Sequence, residues 1–517
     1  MLVLRQYIVM NYLLRNLRIP VGEETGLELA ISRKLGLPQN SFIIQQILRK
    51  ALDTRRKAHP IWDYSLELSF PDCQPVSKDL SPYISEAWPE LPTRRIASDP
   101  SIIGMGPAGL FAALALVERG FKPRIYDQGC SLDTRAKHVS NFWERGVLRE
   151  ESNVQFGEGG AGAFSDGKLT SRGNNPVVRR IYDLLVQFGA DPAIKFEALP
   201  HCGTDGIRAL VSRIRDYLIS QGTEFRYEAK LRDLETEHGR LKRIKINDTW
   251  EDCSTLILAL GNSSRDTFRM LAKRGLALES KDFAVGFRIE HPQSQINRAI
   301  YGNEKWAETL GAATYRLADG KVYSFCMCPG GEVIAASSSS GTVVTNGMSF
   351  SSRSGEYCNS AIVTSVGKEV FGSSLFAGME FQELIERESF RQDFYAPAQR
   401  IEDFLKAKDT NTKLFASYRP GVESSDLSKI YPAEQTDLIK SSLQKFNAIV
   451  DDFSRNAVLI APETRTSSPI RITRDKAKLC SISCEDVFPV GEGSGYAGGI
   501  ISSAADAYKT ASTFLIR

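Results

Sequence analysis

Residues 101–129 read SIIGMGPAGLFAALALVERGFKPRIYDQG, and no other stretch limits the fold as strongly. A short apolar run meets Gly104-Met105-Gly106-Pro107-Ala108-Gly109, which fits G-x-G-x-x-G. An apolar helix over 107–119 follows, Gly120 ends it, and 123–127 reads as a second strand closed by Asp127. A lone match to this pattern is weak. Set between strand and helix, with an acid 18 residues past the last glycine, it reads as the βαβ start of a dinucleotide-binding fold. Gly104 permits the tight turn, and Gly106 lets backbone N–H groups reach a pyrophosphate at the positive end of the helix. Gly109 lets helix and strand pack closely. Asp127 is placed to accept from a ribose diol. Its charge argues against a 2′-phosphate, so FAD or NAD is favoured over NADP.

Three further segments point to the same site. SNVQFGEGGAGAFSDGKLTSR (152–172) holds Gly157, Gly159, Gly160, Ala161, Gly162 and Gly167 with Ser165, Asp166 and Lys168. So few bulky residues suit backbone running close to a flat ring. A flexible surface loop is the alternative, and Phe156, Phe164 and Leu169 argue against it. STLILALGNSSRD (254–266) reads as a buried strand followed by Gly261. Any buried strand ending in glycine explains that segment equally well. VFPVGEGSGYAGGI (487–500) reads as a strand, then Gly491-Glu492, then Gly498-Gly499 leading into a helix that starts at Ile500. Such a helix N-terminus suits a flavin pyrimidine oxygen, where negative charge builds up on reduction.

Length and composition set the frame. The 517 residues allow about three domains. Apolar residues make up 42% and charged residues 25%, ordinary for a globular protein. A net charge of +3 gives no global field for nucleic acid or acidic membrane. The nine cysteines are irregularly spaced without a C-x-x-C pair, which reads as thiols in a reducing compartment. No apolar run spans a bilayer, and no metal site stands out. A cytoplasmic location is expected. The arginine-bearing start, acid-free before Glu23, keeps organellar import as an alternative.

The chain divides by texture. Residues 1–97 read as a small N-terminal α/β domain with a Pro- and Ser-rich linker over 71–98. Within it, 13–21 and 61–70 read as strands and 25–37 as a helix with Thr25 at its N-cap. Residues 98–280 begin the nucleotide-binding domain, 281–454 form an inserted α+β substrate domain, and 455–517 return to the first.

The motifs together resemble a known family. GPAGL (106–110), the 152–172 segment, FAVGFRIEHPQSQIN (283–297), VYSFCMCPGGEV (322–333), SYRPGV (417–422), ETRTSSPIRI (463–472) and GEGSGYAGGI (491–500) are similar to the uncharacterised FAD-dependent dehydrogenases of bacteria and plastids. That resemblance implies a glutathione-reductase-like, Rossmann-type FAD domain, non-covalent FAD and dehydrogenase chemistry on an unassigned substrate. Asp127 stands where the family pattern expects Glu, Leu260 where it expects Thr, Asn262 where it expects His, and Ser339 where it expects Glu.

Several residues are candidates for chemistry. On a strand, Arg288 and Glu290 share a face, and His291 follows as an acid/base or a core hydrogen-bonding group. Glu463-Thr464-Arg465-Thr466-Ser467-Ser468 with Arg471 suits an anionic group, or an ion-paired brace. Tyr418 and Arg419 add further polar groups. Cys326 and Cys328 share a face if 322–328 alternates regularly, with Ser324 beside them and Tyr323, Phe325 and Met327 opposite. The pair is expected to line a pocket without an obligatory disulfide, because an i, i+2 bridge closes a small strained ring.

The expected activity is hydride transfer between a small organic, anionic substrate and flavin. No second fingerprint occurs, so no dedicated NAD(P) domain is expected. Two other readings compete. One is an RNA-associated flavoprotein docking through Arg49, Lys50, Arg55, Arg56 and Lys57. The other is a flavin-binding scaffold without turnover. Oligomeric state is open.

Overall fold

In the computed structural model, the described residues are 10–57, 59–71, 75–171, 173, 175–406 and 414–516. Cys73, Arg172 and the first nine residues of the arginine-bearing start lie outside them.

The fingerprint lies on a five-stranded, fully parallel sheet. Its strand order is Val487–Pro489, Leu256–Leu258, Ser101–Ile103, Arg124–Tyr126 and Glu224–Arg226. Leu256–Leu258 thus sits between the first strand and the C-terminal strand and pairs with both. The fingerprint helix, Pro107–Val117, packs against the C-terminal helix, Ile500–Ala511. Residues 108–116 of the fingerprint helix are all buried. A helix enclosed by a sheet and other helices has no wet face, which explains why its sequence is apolar all round.

A seven-stranded sheet builds the second domain. Its order is Ala318–Asp319, Val322–Cys328, Tyr357–Val366, Phe283–Pro292, Val458–Glu463, Ala396–Arg400 and Val422–Ser424. The strand at 458–463 lies past residue 454 in sequence, yet it pairs directly with Phe283–Pro292. Period-2 alternation along Phe283–Pro292 sorts its side chains. Phe283, Val285, Phe287 and Ile289 pack with Ile439, Leu443 and Phe446 of the helix Ala433–Ile449. Ala284, Gly286, Arg288 and Glu290 face the other way. A hairpin, Glu332–Ala335 with Thr345–Met348, contributes Val333, Ile334 and Ala335 to the core of the nucleotide domain. It is tied there by Trp143 Nε1 donating to the Ala335 carbonyl at 2.8 Å.

The N-terminal residues form a four-stranded antiparallel sheet, in the order Ile43–Asp53, Ile61–Ser69, Asn11–Pro20 and Leu80–Pro82. One helix, Leu27–Leu35, packs on it through Ile31. Gly26 occupies the N-cap of that helix, and Thr25 falls in a preceding 3-10 turn. Within the linker, Leu80–Pro82 joins this sheet, and Arg94–Ile96 pairs with Phe514–Ile516. Part of the basic run is paired within the chain, at the surface for Arg55 and Lys57. Lys50 lies over the Trp62 ring at 4.1 Å, Arg55 pairs with Asp53 at 2.6 Å, and Lys57 reaches Asp451 at 2.7 Å. Arg49, Arg55 and Arg56 are exposed. Among the described residues no helix is long and apolar enough to cross a membrane.

Candidate functional site

Four glycine segments converge at the carboxyl ends of the parallel strands. A β-carbon on Gly104, whose φ is +106°, would stand 2.2 Å from the Ala259 carbonyl oxygen. One on Gly109 would stand 1.9 Å from the Gly104 carbonyl oxygen. These two glycines are therefore required by backbone-to-backbone packing. Gly106 differs: its φ is −78°, and its nearest neighbour is the Gly160 α-carbon at 3.6 Å. A β-carbon fits there unless something else fills the space. The 152–172 segment packs on the fingerprint through Gly160 and, beyond it, on the C-terminal helix, where Gly162 faces Ile500. The Gly261 and Gly493 turns stack closely enough that a β-carbon on Gly493 would stand 2.1 Å from the Gly261 carbonyl oxygen. Gly491 packs on Ala108. Gly261, Gly498 and Gly499 face open space at their β-carbon positions. The helix Ile500–Ala511 starts beside that space, with its positive end unobstructed.

Asp127 is buried and already bonded. Its Oδ2 accepts from the Met105 N–H at 2.9 Å and its Oδ1 from the Gly129 N–H at 2.8 Å. Burial pushes the carboxyl up, and these backbone donors oppose that. An ionised carboxylate has about four acceptor sites, so capacity remains for a diol. In the glycine-rich segment, the Gly159 N–H bonds the Met105 carbonyl and the Gly160 N–H bonds the Gly157 carbonyl. Both groups are thus spent on building the loop. Ala161 is exposed and Gly162 half-buried at the start of the turn Ala161–Phe164.

Ser165 also serves the loop, bonding the Gly162 carbonyl at 2.8 Å. Asp166 pairs with Arg353 at 2.7 Å and Lys168 at 2.9 Å. Burial opposes its charge, but these cations outweigh it and hold the carboxyl below its ordinary value. Lys168 also donates to the Met327 carbonyl, which links this segment to the Cys-x-Cys strand. Glu492 is half-buried, and its Oε1 accepts from Asn262 Nδ2 at 2.8 Å. Burial raises its carboxyl to about 7. Asn262 thus fills a definite place although it departs from the family pattern.

The substrate-domain candidates separate into two groups. His291 faces the apolar side, among Tyr315 and Phe453, and its Nε2 donates to the Phe453 carbonyl at 2.7 Å. Burial lowers its pKa to about 4, so it is a neutral core residue at pH 7. Arg288 and Glu290 lie on the opposite face. Arg288 Nη1 donates to the Cys326 carbonyl at 2.9 Å, and Nη2 to Asn346 Oδ1 at 3.0 Å. Glu463 stands 3.5 Å from Arg288. Glu290 accepts from the Ser417 N–H at 2.9 Å and from its hydroxyl, anchoring the SYRPGV segment. Burial raises both Glu290 and Glu463 to about 7. Arg465 is buried between Glu386, at 2.9 Å, and the hydroxyls of Ser263 and Ser338. In this structure it is an ion-paired brace.

Regular alternation fails at the cysteines. The register with Tyr357–Val366 shifts between Phe325 and Cys328, and Cys326 adopts a φ of +46°. This bulge overturns the expected facing. Tyr323 and Phe325 join Ala284, Ala361 and Val363 on the Arg288 side, and Met327 turns into the opposite core.

Arg135 is the residue that the motifs missed. It is fully buried, and its guanidinium donates to the carbonyls of Asn153, Val154, Gly157, Glu158 and Gly160 at 2.6–3.2 Å. Its sequence position carried a signal. On the helix Leu132–Arg145 it falls on the face of Leu132, Val139 and Phe142, where an arginine is out of place unless it is fully bonded. Arg135→Lys should strip most of the flavin and cost about 3 kcal/mol, because three ammonium donors cannot replace a five-donor fork. The flavin-to-protein absorbance ratio and the melting temperature check this. Full flavin content with an unchanged melt would remove Arg135 from its role as the strut of the loop.

The chain was compared with known proteins. Residues 282–466 match the family described as "FAD-dependent protein, C-terminal domain-like". An uncharacterized protein of Clostridium beijerinckii is 38% identical, covering 96% of this chain and 97% of its own length. Among solved structures, L-proline dehydrogenase from P. horikoshii aligns with 81% of this chain and 93% of its own at 11% identity and a TM-score of 0.37. L-amino acid deaminase from Proteus vulgaris aligns with 82% and 95% at 12% identity and a TM-score of 0.36. The cofactor is FAD. The open side of Gly106, the free space at Gly498 and Gly499 and the acceptor capacity of Asp127 fit that group. The chain belongs to the same family as the C. beijerinckii protein, a family of FAD-dependent proteins.

Proposed function

We propose that this chain is an FAD-dependent oxidoreductase acting on a small organic, anionic substrate. The observation that carries the reading is the convergence of four glycine segments at the carboxyl ends of the five-stranded parallel sheet, in a chain whose residues 282–466 match an FAD-dependent family. The arrangement reads as a glutathione-reductase-like nucleotide domain with an inserted substrate domain. Bound non-covalently, FAD supplies a ring that accepts or returns hydride. The protein's part is to hold it and exclude water. Gly104, Gly106, Pro107, Ala108 and Gly109 form the pyrophosphate turn, and Asp127 takes the ribose. Gly159 and Gly160 set the course of the loop, so that Ala161 and Gly162 meet the ring. Gly261 leaves room for the cofactor, Gly491 seats the C-terminal turn against Ala108 of the fingerprint helix, and Glu492 with Asn262 holds the cofactor's linker. Gly498, Gly499 and Ile500 offer a helix N-terminus to the pyrimidine edge.

The substrate space lies beside Tyr323 and Phe325, which are half-buried on the sheet's Arg288 face. Lys168 supplies a cation at its edge. Of its three donors, one meets Asp166 and one the Met327 carbonyl. Burial disfavours its charge, but the neighbouring thiols and Asp166 prevail and keep it protonated. Arg288, Glu290 and Arg465 position the walls of this space.

An anaerobic screen of small carboxylic and amino acids, read by bleaching of the bound flavin, tests the reading. At least one should bleach the flavin. NADPH should not do so rapidly, because FAD fills the one dinucleotide fingerprint in the sequence. A flavin that no organic acid reduces would sink the proposal in favour of a scaffold.

A further inference from the structure

In a regular strand, side chains at i and i+2 stand about 6.6 Å apart along the chain. Cys326 and Cys328 do not. The bulge at Cys326 brings their sulfurs to 4.0 Å, and Cys328 Sγ donates to the Cys326 carbonyl at 3.3 Å. A non-glycine residue in the left-handed region is strained and persists only where its surroundings hold it. Here two groups hold it. Arg288 clamps the Cys326 carbonyl, and Lys168 clamps that of Met327.

The two thiols are unequal. Cys326 is half-buried and Cys328 fully buried. Around Cys326 stand the cations Lys168 and Arg288 and the carboxylates Asp166 and Glu463. Asp166 is matched by Arg353 and Lys168, and Glu463 by Arg288. When the single Cys328 S–H turns from the Cys326 carbonyl to the Cys326 sulfur, that hydrogen bond, with Lys168 and Arg288, draws the Cys326 thiol well below its ordinary value. Cys328 is pushed the other way by the same contact and by burial. Cys130, Cys202, Cys253, Cys358, Cys480 and Cys484 are all raised by burial. An accessible thiolate next to a buried resolving thiol is the arrangement of a peroxide-reactive cysteine pair.

We propose that Cys326 and Cys328 form a reversible, hydroperoxide-reactive dithiol in which Cys326 attacks and Cys328 resolves. The Cys326 thiolate attacks one oxygen of a hydroperoxide. An S–O bond forms, the O–O bond breaks, and the other oxygen leaves as an alcohol or water after taking a proton. Sulfur is oxidised by two electrons and the peroxide reduced by two. Cys328 sulfur then attacks Cys326 sulfur. The S–S bond forms, the S–O bond breaks, and hydroxide leaves as water with the Cys328 proton. Overall, two thiols and one hydroperoxide give one disulfide, one alcohol or water, and one water. The ring so closed is small and strained, which makes the bridge labile toward external dithiols and suits a reversible site.

The test uses the FAD-loaded protein with hydrogen peroxide as the probe. After stoichiometric peroxide and thiol blocking, peptide mass spectrometry should show the 322–333 region lacking two hydrogens and carrying no blocking group, reversed by dithiothreitol. Cys328→Ser should stop at a sulfenic acid on Cys326, trapped by dimedone. Cys326→Ser should leave Cys328 unlabelled. Lys168→Met should slow alkylation of Cys326 at pH 6 by roughly tenfold, the effect of one pKa unit. Retained flavin spectra report folding in each variant, and Cys328→Ala replaces Cys328→Ser if that variant misfolds. Over-oxidation of Cys326 in the wild type without a bridge, or no dimedone adduct in either Cys328 variant, would overturn the proposal.

Discussion

Gly106→Val should purify folded and colourless. The three fingerprint glycines face different obstacles. Gly104 and Gly109 meet backbone oxygens at 2.2 Å and 1.9 Å, so a side chain at either damages the fold itself. Gly106 has an ordinary φ and no neighbour closer than 3.6 Å. A side chain there costs little until a pyrophosphate comes up to the N–H groups of the helix. Losing two charge-assisted hydrogen bonds costs about 3–6 kcal/mol, a weakening on the order of 10²–10⁴-fold. Gly106→Ala should fall between wild type and valine. The flavin-to-protein absorbance ratio measures binding, and far-UV circular dichroism verifies the fold. A yellow Gly106→Val protein at full stoichiometry would place the pyrophosphate elsewhere.

What the sequence revealed follows from the range of the forces involved. The fingerprint turn is legible because its causes are local: glycines, a strand before and a helix after. The return strands Leu256–Leu258 and Val487–Pro489 are legible for the same reason, each being a short apolar run ending in glycine. Residues whose role depends on distant partners were not legible. Glu386 sits in FQELIERE, among acids that look like a wet helix face. Its partners Arg265 and Arg465 lie 121 and 79 residues away. The bulge at Cys326 is set by Arg288 and Lys168, which no local pattern connects to it. From the sequence Asp127 reads as a candidate ribose ligand. Its pinning of the fingerprint turn through Met105 appears only when the backbone is placed. His291 shows the reverse case. The motif GFRIEHP makes it look chemical, yet one step of strand alternation puts it in the core.

Glu386→Gln should be strongly destabilising. The carboxylate is fully buried on the helix Ala377–Glu388. It accepts two bonds from Arg265 at 2.8 Å, two from Arg465 at 2.9 and 3.0 Å, and one from Thr464 at 2.7 Å. Arg265 opens the helix that follows the Gly261 turn, and Arg465 follows the strand Val458–Glu463. One carboxylate therefore joins the nucleotide domain to the second domain. Glutamine keeps the shape but turns an NH₂ toward guanidinium donors and leaves two buried cations without a counter-charge. Breaking a buried ion pair from one side costs about 3–5 kcal/mol. At about 2 °C per kcal/mol for a large chain, the melting temperature should fall by roughly 6–10 °C. The pH dependence provides a second check. Burial opposes the charge on Glu386, but Arg265 and Arg465 outweigh it and hold the carboxyl far below its ordinary value of 4.5. A depressed folded pKa gives stability that is complete above the unfolded value and fades as pH falls toward the folded one. The gap in melting temperature between wild type and variant should thus stay constant from about pH 5 to 8 and narrow below about 4.5. A gap that widens in acid, or a variant as stable as wild type at pH 7, would show that the two arginines find their counter-charge elsewhere.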